Sequence, residues 1–233
     1  MQEPESNQYN EWHQQYAQED DTTSVWHVFI KNNLRAAEDV QDKVLLEIGC
    51  GRGGMSNYIA SLTPSCKQLH ACDYSESALE IGQSKFGTHN NRIAWSQQDI
   101  QALKFADYYF DTVISCETIE HVPDSLQAIH ELYRVLKKDG RLYLTCPNYF
   151  NFFGLYCIYR KLIGKPYTEG QPFVNYLLLP RLRRWIKDSG FTIEEHYTTN
   201  LVFPLRAHYH FFENRMPALI RWLGFRTFFI LKK

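Results

Sequence analysis

The feature that most limits how this chain can fold is a short apolar run that ends at closely spaced glycines. Lys43-Val44-Leu45-Leu46-Glu47-Ile48 is followed by Gly49-Cys50-Gly51-Arg52-Gly53-Gly54. A run without polar alternation reads as a strand buried on both faces, the pattern of a parallel sheet. Glycines directly after it let the backbone turn tightly and approach a ligand. A helix starting there presents free N–H groups to that ligand.

Strand-like and helix-like stretches then alternate. Residues 54–62 are helix-like. Residues 68–72 form a strand with Asp73 at its end, and Ser75 is placed to cap a helix running to about Phe86. Residues 92–96 and 110–116 read as the third and fourth strands. Asp124 caps the next helix, whose apolar stripe of Leu126, Ile129, Leu132, Val135 and Leu136 is stopped by Gly140. Residues 141–146 form a fifth strand, 180–189 a helix, and 191–197 and 227–232 two final strands paired like a hairpin. This alternation predicts an α/β fold: a Rossmann-like, doubly wound, seven-stranded sheet, mostly parallel with an antiparallel C-terminal strand.

The sheet is flanked by two further segments. Residues 23–38 have a helical pattern carrying Val25, Phe29 and Leu34, and Trp12 and Tyr16 are spaced to share a helix face. Residues 149–177 are rich in aromatics, with Gly154, Gly164, Pro166, Gly170 and Pro172 among them, and read as an insertion over the sheet edge. The 233 residues therefore divide, within one domain (1–233), into an N-terminal helical cover (1–42), a cofactor-binding core (43–148), an insertion or lid with its helix (149–190) and C-terminal strands on the substrate side (191–233).

Composition narrows the function. A net charge of -1 supplies no basic field for nucleic acid. The six cysteines include no C-x-x-C pair, so no zinc site is expected. The polar, acidic N-terminus lacks the apolar core of a signal peptide. No apolar run reaches the roughly 18 residues a membrane span needs. A reducing, cytoplasmic setting with free thiols is the expectation.

Two cofactors fit the glycine loop on spacing alone. Gly49, Gly51 and Gly54 match G-x-G-x-x-G, and Asp73 lies where a dinucleotide fold places its ribose-binding acid. Three features favour S-adenosylmethionine. Glu47, two residues before the first glycine, suits a ligand with an ammonium group and no pyrophosphate. The 42 residues ahead of the first strand leave room for a cover, and nothing resembling a second catalytic domain follows the sheet.

Further blocks carry a resemblance. They are Val44 to Gly51, Asp73, Asp99-Ile100, Cys116-Glu117-Thr118-Ile119-Glu120-His121-Val122, and Leu136-Lys137-Lys138-Asp139-Gly140-Arg141-Leu142. Over residues 43–148 the sequence resembles the class I S-adenosylmethionine-dependent methyltransferases, the broad group that includes ubiquinone- and menaquinone-biosynthesis methyltransferases. The resemblance implies S-adenosylmethionine as cofactor and S-adenosylhomocysteine as product. It implies that Gly49, Cys50 and Gly51 pass beneath the methionine part, and that Asp73, with Tyr74 beside it, takes the ribose hydroxyls. Asp99 would accept from the adenine amino group, Ile100 would sit against the ring, and the Cys116 carbonyl, with Glu47 near it, would hold the ammonium group.

Glu120 and His121 are the candidate catalytic residues. A histidine titrates near neutrality and can take a hydroxyl proton; it can also simply order its loop. The expected reaction is methyl transfer to a small organic acceptor, at oxygen on an apolar or aromatic molecule. Nitrogen or carbon transfer, an NAD(P)-dependent oxidoreductase and a non-catalytic cofactor-binding module are the alternatives. His208-Tyr209-His210 with His196 invites a metal reading, but the ligands are too few and none is expected. The aromatic segment, from Tyr149 and Phe150 to Tyr176, suits an apolar pocket or lid. Arg181, Arg183, Arg184 and Arg206 suit an acidic group on the acceptor or a solvated helix face. The same aromatic and basic mix suits weak peripheral contact with a membrane surface.

Overall fold

Strands β1 (Val44–Ile48), β2 (Gln68–Asp73), β3 (Ile93–Gln97), β4 (Phe110–Cys116), β5 (Leu136–Pro147), β6 (Thr192–Thr199) and β7 (Arg226–Lys232) form one sheet in the computed structural model of the chain. The structure describes residues 6–15, 22–87, 91–168, 170–200 and 221–233. The strand order is β3-β2-β1-β4-β5-β7-β6. β1 to β5 pair in parallel, and β7 inserts antiparallel between β5 and β6. The seven-stranded, mostly parallel sheet with an antiparallel C-terminal strand is thus the fold of this chain. The order reverses beside β1, and open α/β sheets place their ligands outside the carboxyl ends of strands at such a point.

Helices α1 (Ser6–Gln15), α2 (Val25–Asn33), α3 (Gly54–Ala60), α4 (Glu76–Phe86), α5 (Ser125–Val135), α6 (Phe152–Leu162) and α7 (Leu179–Asp188) surround the sheet. Strand side chains alternate between two cores. Leu46, Phe229 and Leu231 pack with Ile129 and Leu132 of α5 and Leu182 and Ile186 of α7. Leu45, Phe228 and Ile230 pack with Phe29 and Ile30 of α2 and Met55 and Ile59 of α3. Because both faces are covered, β1 has no polar alternation. Each fully buried Leu or Ile contributes about 1.5–3 kcal/mol.

Asp124 caps α5 by accepting from Gln127 N at 2.9 Å, and Ser75 caps α4 by accepting from Ala78 N at 3.2 Å. Three expectations need correction. The helix expected over 23–38 ends at Asn33; Leu34 and Arg35 are extended and a π-helical turn, Ala36–Val40, follows. Asp39 explains the break, since its buried carboxylate accepts from Arg35 N and binds Arg141 and the Tyr143 hydroxyl. Gly140 does not stop α5. That helix ends at Val135, and Leu136 already pairs with Phe110 in β5. Gly140 lies inside β5, where a side chain would run into Asp111 O and Leu136. The insertion after β5 holds an unexpected helix, α6. Tyr16, Arg206, His208 and His210 lie outside the described residues. His196 binds Thr227 Oγ1 at 3.1 Å and stacks on Phe229, and burial with Arg183 and Arg221 nearby pushes its pKa down to about 3.

Candidate active site

The carboxyl ends of β1, β2 and β4 and the loop after β3 open into a cavity of about 630 Å³, within the usual range of small-molecule sites. Glu47, Gly49, Cys50, Gly51, Asp73, Tyr74, Asp99, Ile100, Cys116, Glu120 and His121 all line it. The parallel topology brings them together: each lies at or just beyond the end of a strand.

The glycine loop is held by its neighbours. Gly49 N and Cys50 N donate to Cys72 O at 2.8 and 3.0 Å, with Gly49 at φ +77° and Gly51 at φ +52°. A side chain at Gly49 would strike Thr118, whose Oγ1 donates to the Cys116 carbonyl at 2.9 Å. The Asp73 carboxylate accepts Gly51 N on Oδ2 at 2.8 Å and Ser75 N on Oδ1 at 2.9 Å. Each oxygen keeps lone-pair capacity for a further donor.

Glu47 is buried and accepts from the Ser56 hydroxyl of α3. Burial raises its pKa to about 8; the Ser56 hydrogen bond opposes this and Asp73 adds to it. Asp99 accepts Gln101 N at 2.8 Å. Arg134 of α5 anchors the loop beyond, donating to Leu103 O at 2.8 Å and Phe105 O at 2.7 Å. Helix α1 lies across the opening. Tyr9 donates to His121 O at 2.8 Å and meets Tyr74 edge-on, and Asn10 accepts the Ser75 hydroxyl at 2.8 Å.

Glu120 and His121 sit on a 3-10 turn, Ile119–His121. His121 Nδ1 donates to Phe173 O at 2.8 Å, and its Nε2 lies 3.7 Å from Glu120 Oε1. Burial is the main influence on the imidazole and moves its pKa down; the Phe173 contact and Asp73 oppose it. Asn175 pins the same turn: its N donates to Glu120 O at 2.6 Å and its Nδ2 to Val122 O at 3.1 Å.

Sequence reasoning did not select Glu117 and Arg226. Glu117 has a left-handed backbone, φ +49°, at the end of β4, where strain of this kind marks functional positions. Its carboxylate accepts the Thr145 hydroxyl at 2.9 Å and pairs with the Arg226 guanidinium at the start of β7. Arg226 lies 4.9 Å over the Trp26 ring, and burial brings its pKa down to about 10. All three side chains line the cavity. No local motif signals this pair, because 109 residues separate its members.

A methyltransferase domain family model matches residues 46–144. A ubiquinone/menaquinone biosynthesis C-methyltransferase of Geotalea uraniireducens is 31% identical over 139 residues, which cover 58% of this chain and 58% of that protein. A demethylmenaquinone methyltransferase of Porphyromonas gingivalis is 29% identical over 168 residues, which cover 71% of this chain and 62% of that protein. The chain thus spans less than two thirds of the length of these curated relatives. A putative methyltransferase of Haloferax volcanii, solved in complex with the Trm112 methyltransferase activator, superposes with a TM-score of 0.67 at 16% identity, covering 98% of this chain and 96% of that one. That likeness is one of fold. Residues 46–144 match the methyltransferase domain family, and this match, the curated relatives and the fold together support a class I S-adenosylmethionine-dependent methyltransferase. S-adenosylmethionine is the cofactor of that domain.

The cavity chemistry fits this cofactor. Five carboxyl groups line it (Glu47, Asp73, Asp99, Glu117, Glu120), against two guanidinium groups (Arg52, Arg226). That balance suits a ligand carrying sulfonium and ammonium charges and opposes a pyrophosphate.

Proposed function

We propose that this chain methylates a small apolar or aromatic acceptor at a hydroxyl oxygen, with His121 as the base. The observation that carries the reading is the His121–Phe173 hydrogen bond, which leaves Nε2 unprotonated in the neutral ring, on the wall of the cofactor cavity. Bound S-adenosylmethionine supplies a methyl group already activated by its sulfonium.

The chain's own residues have four tasks. Asp73 holds the ribose hydroxyls while the N–H groups of Gly51 and Ser75 fix its carboxylate. Asp99 and Ile100 seat the adenine beside Tyr74. The Cys116 carbonyl and Glu47 would hold the ammonium group, with Gly49, Cys50 and Gly51 lining its site. His121 Nε2 accepts the acceptor's hydroxyl proton, and Glu120 stabilises the resulting imidazolium from 3.7 Å.

Methylation at a ring carbon is the second reading, favoured by relatives that are C-methyltransferases by name. It uses the same base, since a phenol must lose its proton before its ring carbon becomes a strong nucleophile. Methyl-labelled S-adenosylmethionine and a panel of hydroxylated aromatics, with products resolved by mass and NMR, decide between them. An O-methyl product supports the first reading and a ring-methyl product the second. An N-methyl product formed at the wild-type rate by His121→Gln overturns both.

A further inference from the structure

We propose that the outer face of α6 docks on an anionic lipid surface. This helix is apolar nearly all round. Phe153, Tyr156 and Cys157 pack inward around Tyr149 and Phe225. Phe152, Leu155, Ile158, Tyr159 and Leu162 face outward, with Leu155 64% and Leu162 81% exposed. Apolar side chains at this spacing turned outward form a contiguous exposed patch, and such a patch marks a contact surface.

Charge selects the occupant. Residues 150–168 contain Arg160, Lys161 and Lys165 and no acidic residue, in a chain whose net charge is -1. Lys161 and Lys165 are exposed beside Leu162 and Ile163 at the helix end. An anionic bilayer surface satisfies both halves: phosphates meet the cations, and the acyl boundary takes the apolar side chains. A second copy of this chain would set the cations of one patch against those of the other. Eleven residues make a helix about 16 Å long, which lies in the surface and cannot cross it. The same insertion supplies Gln171 to the cavity wall and the Phe173 carbonyl to His121. Docking α6 therefore sets the closing segment of the cavity against the lipid, where an apolar acceptor concentrates.

Co-sedimentation of the full chain with vesicles tests this. The wild type is expected to pellet with vesicles containing about 30% phosphatidylglycerol, and about tenfold less with pure phosphatidylcholine. Leu155→Asp/Leu162→Asp and, separately, Lys161→Glu/Lys165→Glu should each weaken binding by about tenfold or more while keeping the wild-type affinity for S-adenosylhomocysteine. All four side chains are exposed, and none lines the cavity. Failure of the wild type to pellet, or equal pelleting by both variants, overturns the proposal. So does a wild-type dimer that Leu155→Asp/Leu162→Asp converts to a monomer, which would make this face an interface between copies. Cofactor affinity, measured in parallel, separates failure of docking from failure of the methyltransferase reading.

Discussion

His121 and Phe173 are joined by a 2.8 Å hydrogen bond from the imidazole Nδ1 to a main-chain carbonyl, linking the turn after β4 to the insertion after β5. The bond sets the tautomer, and burial keeps the ring neutral to lower pH than a free histidine. Replacing His121 by Gln should lower kcat by about 10²–10⁴ and leave S-adenosylhomocysteine affinity within about twofold. A base must be unprotonated, and its folded pKa lies below 6.5. The acid limb of the wild-type kcat profile should therefore fall below pH 6.5. A limb that persists unchanged in His121→Gln would place the base elsewhere.

Gly49 has no room for a side chain. At φ +77° a Cβ is strained, and it would displace Thr118, which holds the Cys116 carbonyl. Gly49→Ala should weaken S-adenosylhomocysteine binding by about tenfold or more, with a stability loss of about 1–3 kcal/mol. Wild-type affinity by titration calorimetry would contradict this reading of the loop.

Glu47 couples cofactor binding to protons. Its pKa is about 8 in the fold against 4.5 ordinarily, so between those values the folded protein holds a proton that the unfolded chain has lost. Stability of the cofactor-free protein should fall as pH rises through that window, and Glu47→Gln should flatten the slope. A bound ammonium group favours the carboxylate, so binding near pH 7 should release a proton. Calorimetry in buffers of different ionisation heat measures that release; the same release from Glu47→Gln would contradict the assignment.

Glu117 and Arg226 form a partly buried pair, so removing one partner takes the counter-charge from the other. Glu117→Gln should destabilise the protein by about 1.5–3 kcal/mol, and Glu117→Gln with Arg226→Met by markedly less. Urea unfolding of the two single variants and the double variant gives the coupling. Additive losses would show that the two side chains act independently.

The sequence made the strand-end half of the candidate site legible because its residues follow strand ends at short, regular spacing. Asp73 and Asp99 follow from β2 and β3, and Asp124 and Ser75 announce their helices by capping. The half built by long-range contacts was not legible. Arg226 reaches Glu117 only because β7 folds back between β5 and β6, and Phe173 reaches His121 only through the insertion. Helix α6 escaped because Gly154 within it and Gly164, Pro166, Gly170 and Pro172 after it read as loop punctuation. The break after Asn33 escaped because it depends on Asp39 meeting Arg141, 102 residues away.

Titration of the wild type and of Asp73→Ala with S-adenosylhomocysteine, and of the wild type with NAD, bears most directly on the cavity. The Asp73 carboxylate should take two charged hydrogen bonds from the ribose. The wild type should bind one S-adenosylhomocysteine per chain, Asp73→Ala should bind it at least about tenfold more weakly, and NAD should give no binding heat. Binding of NAD without S-adenosylhomocysteine, or equal affinity in Asp73→Ala, would contradict the assignment of this cavity.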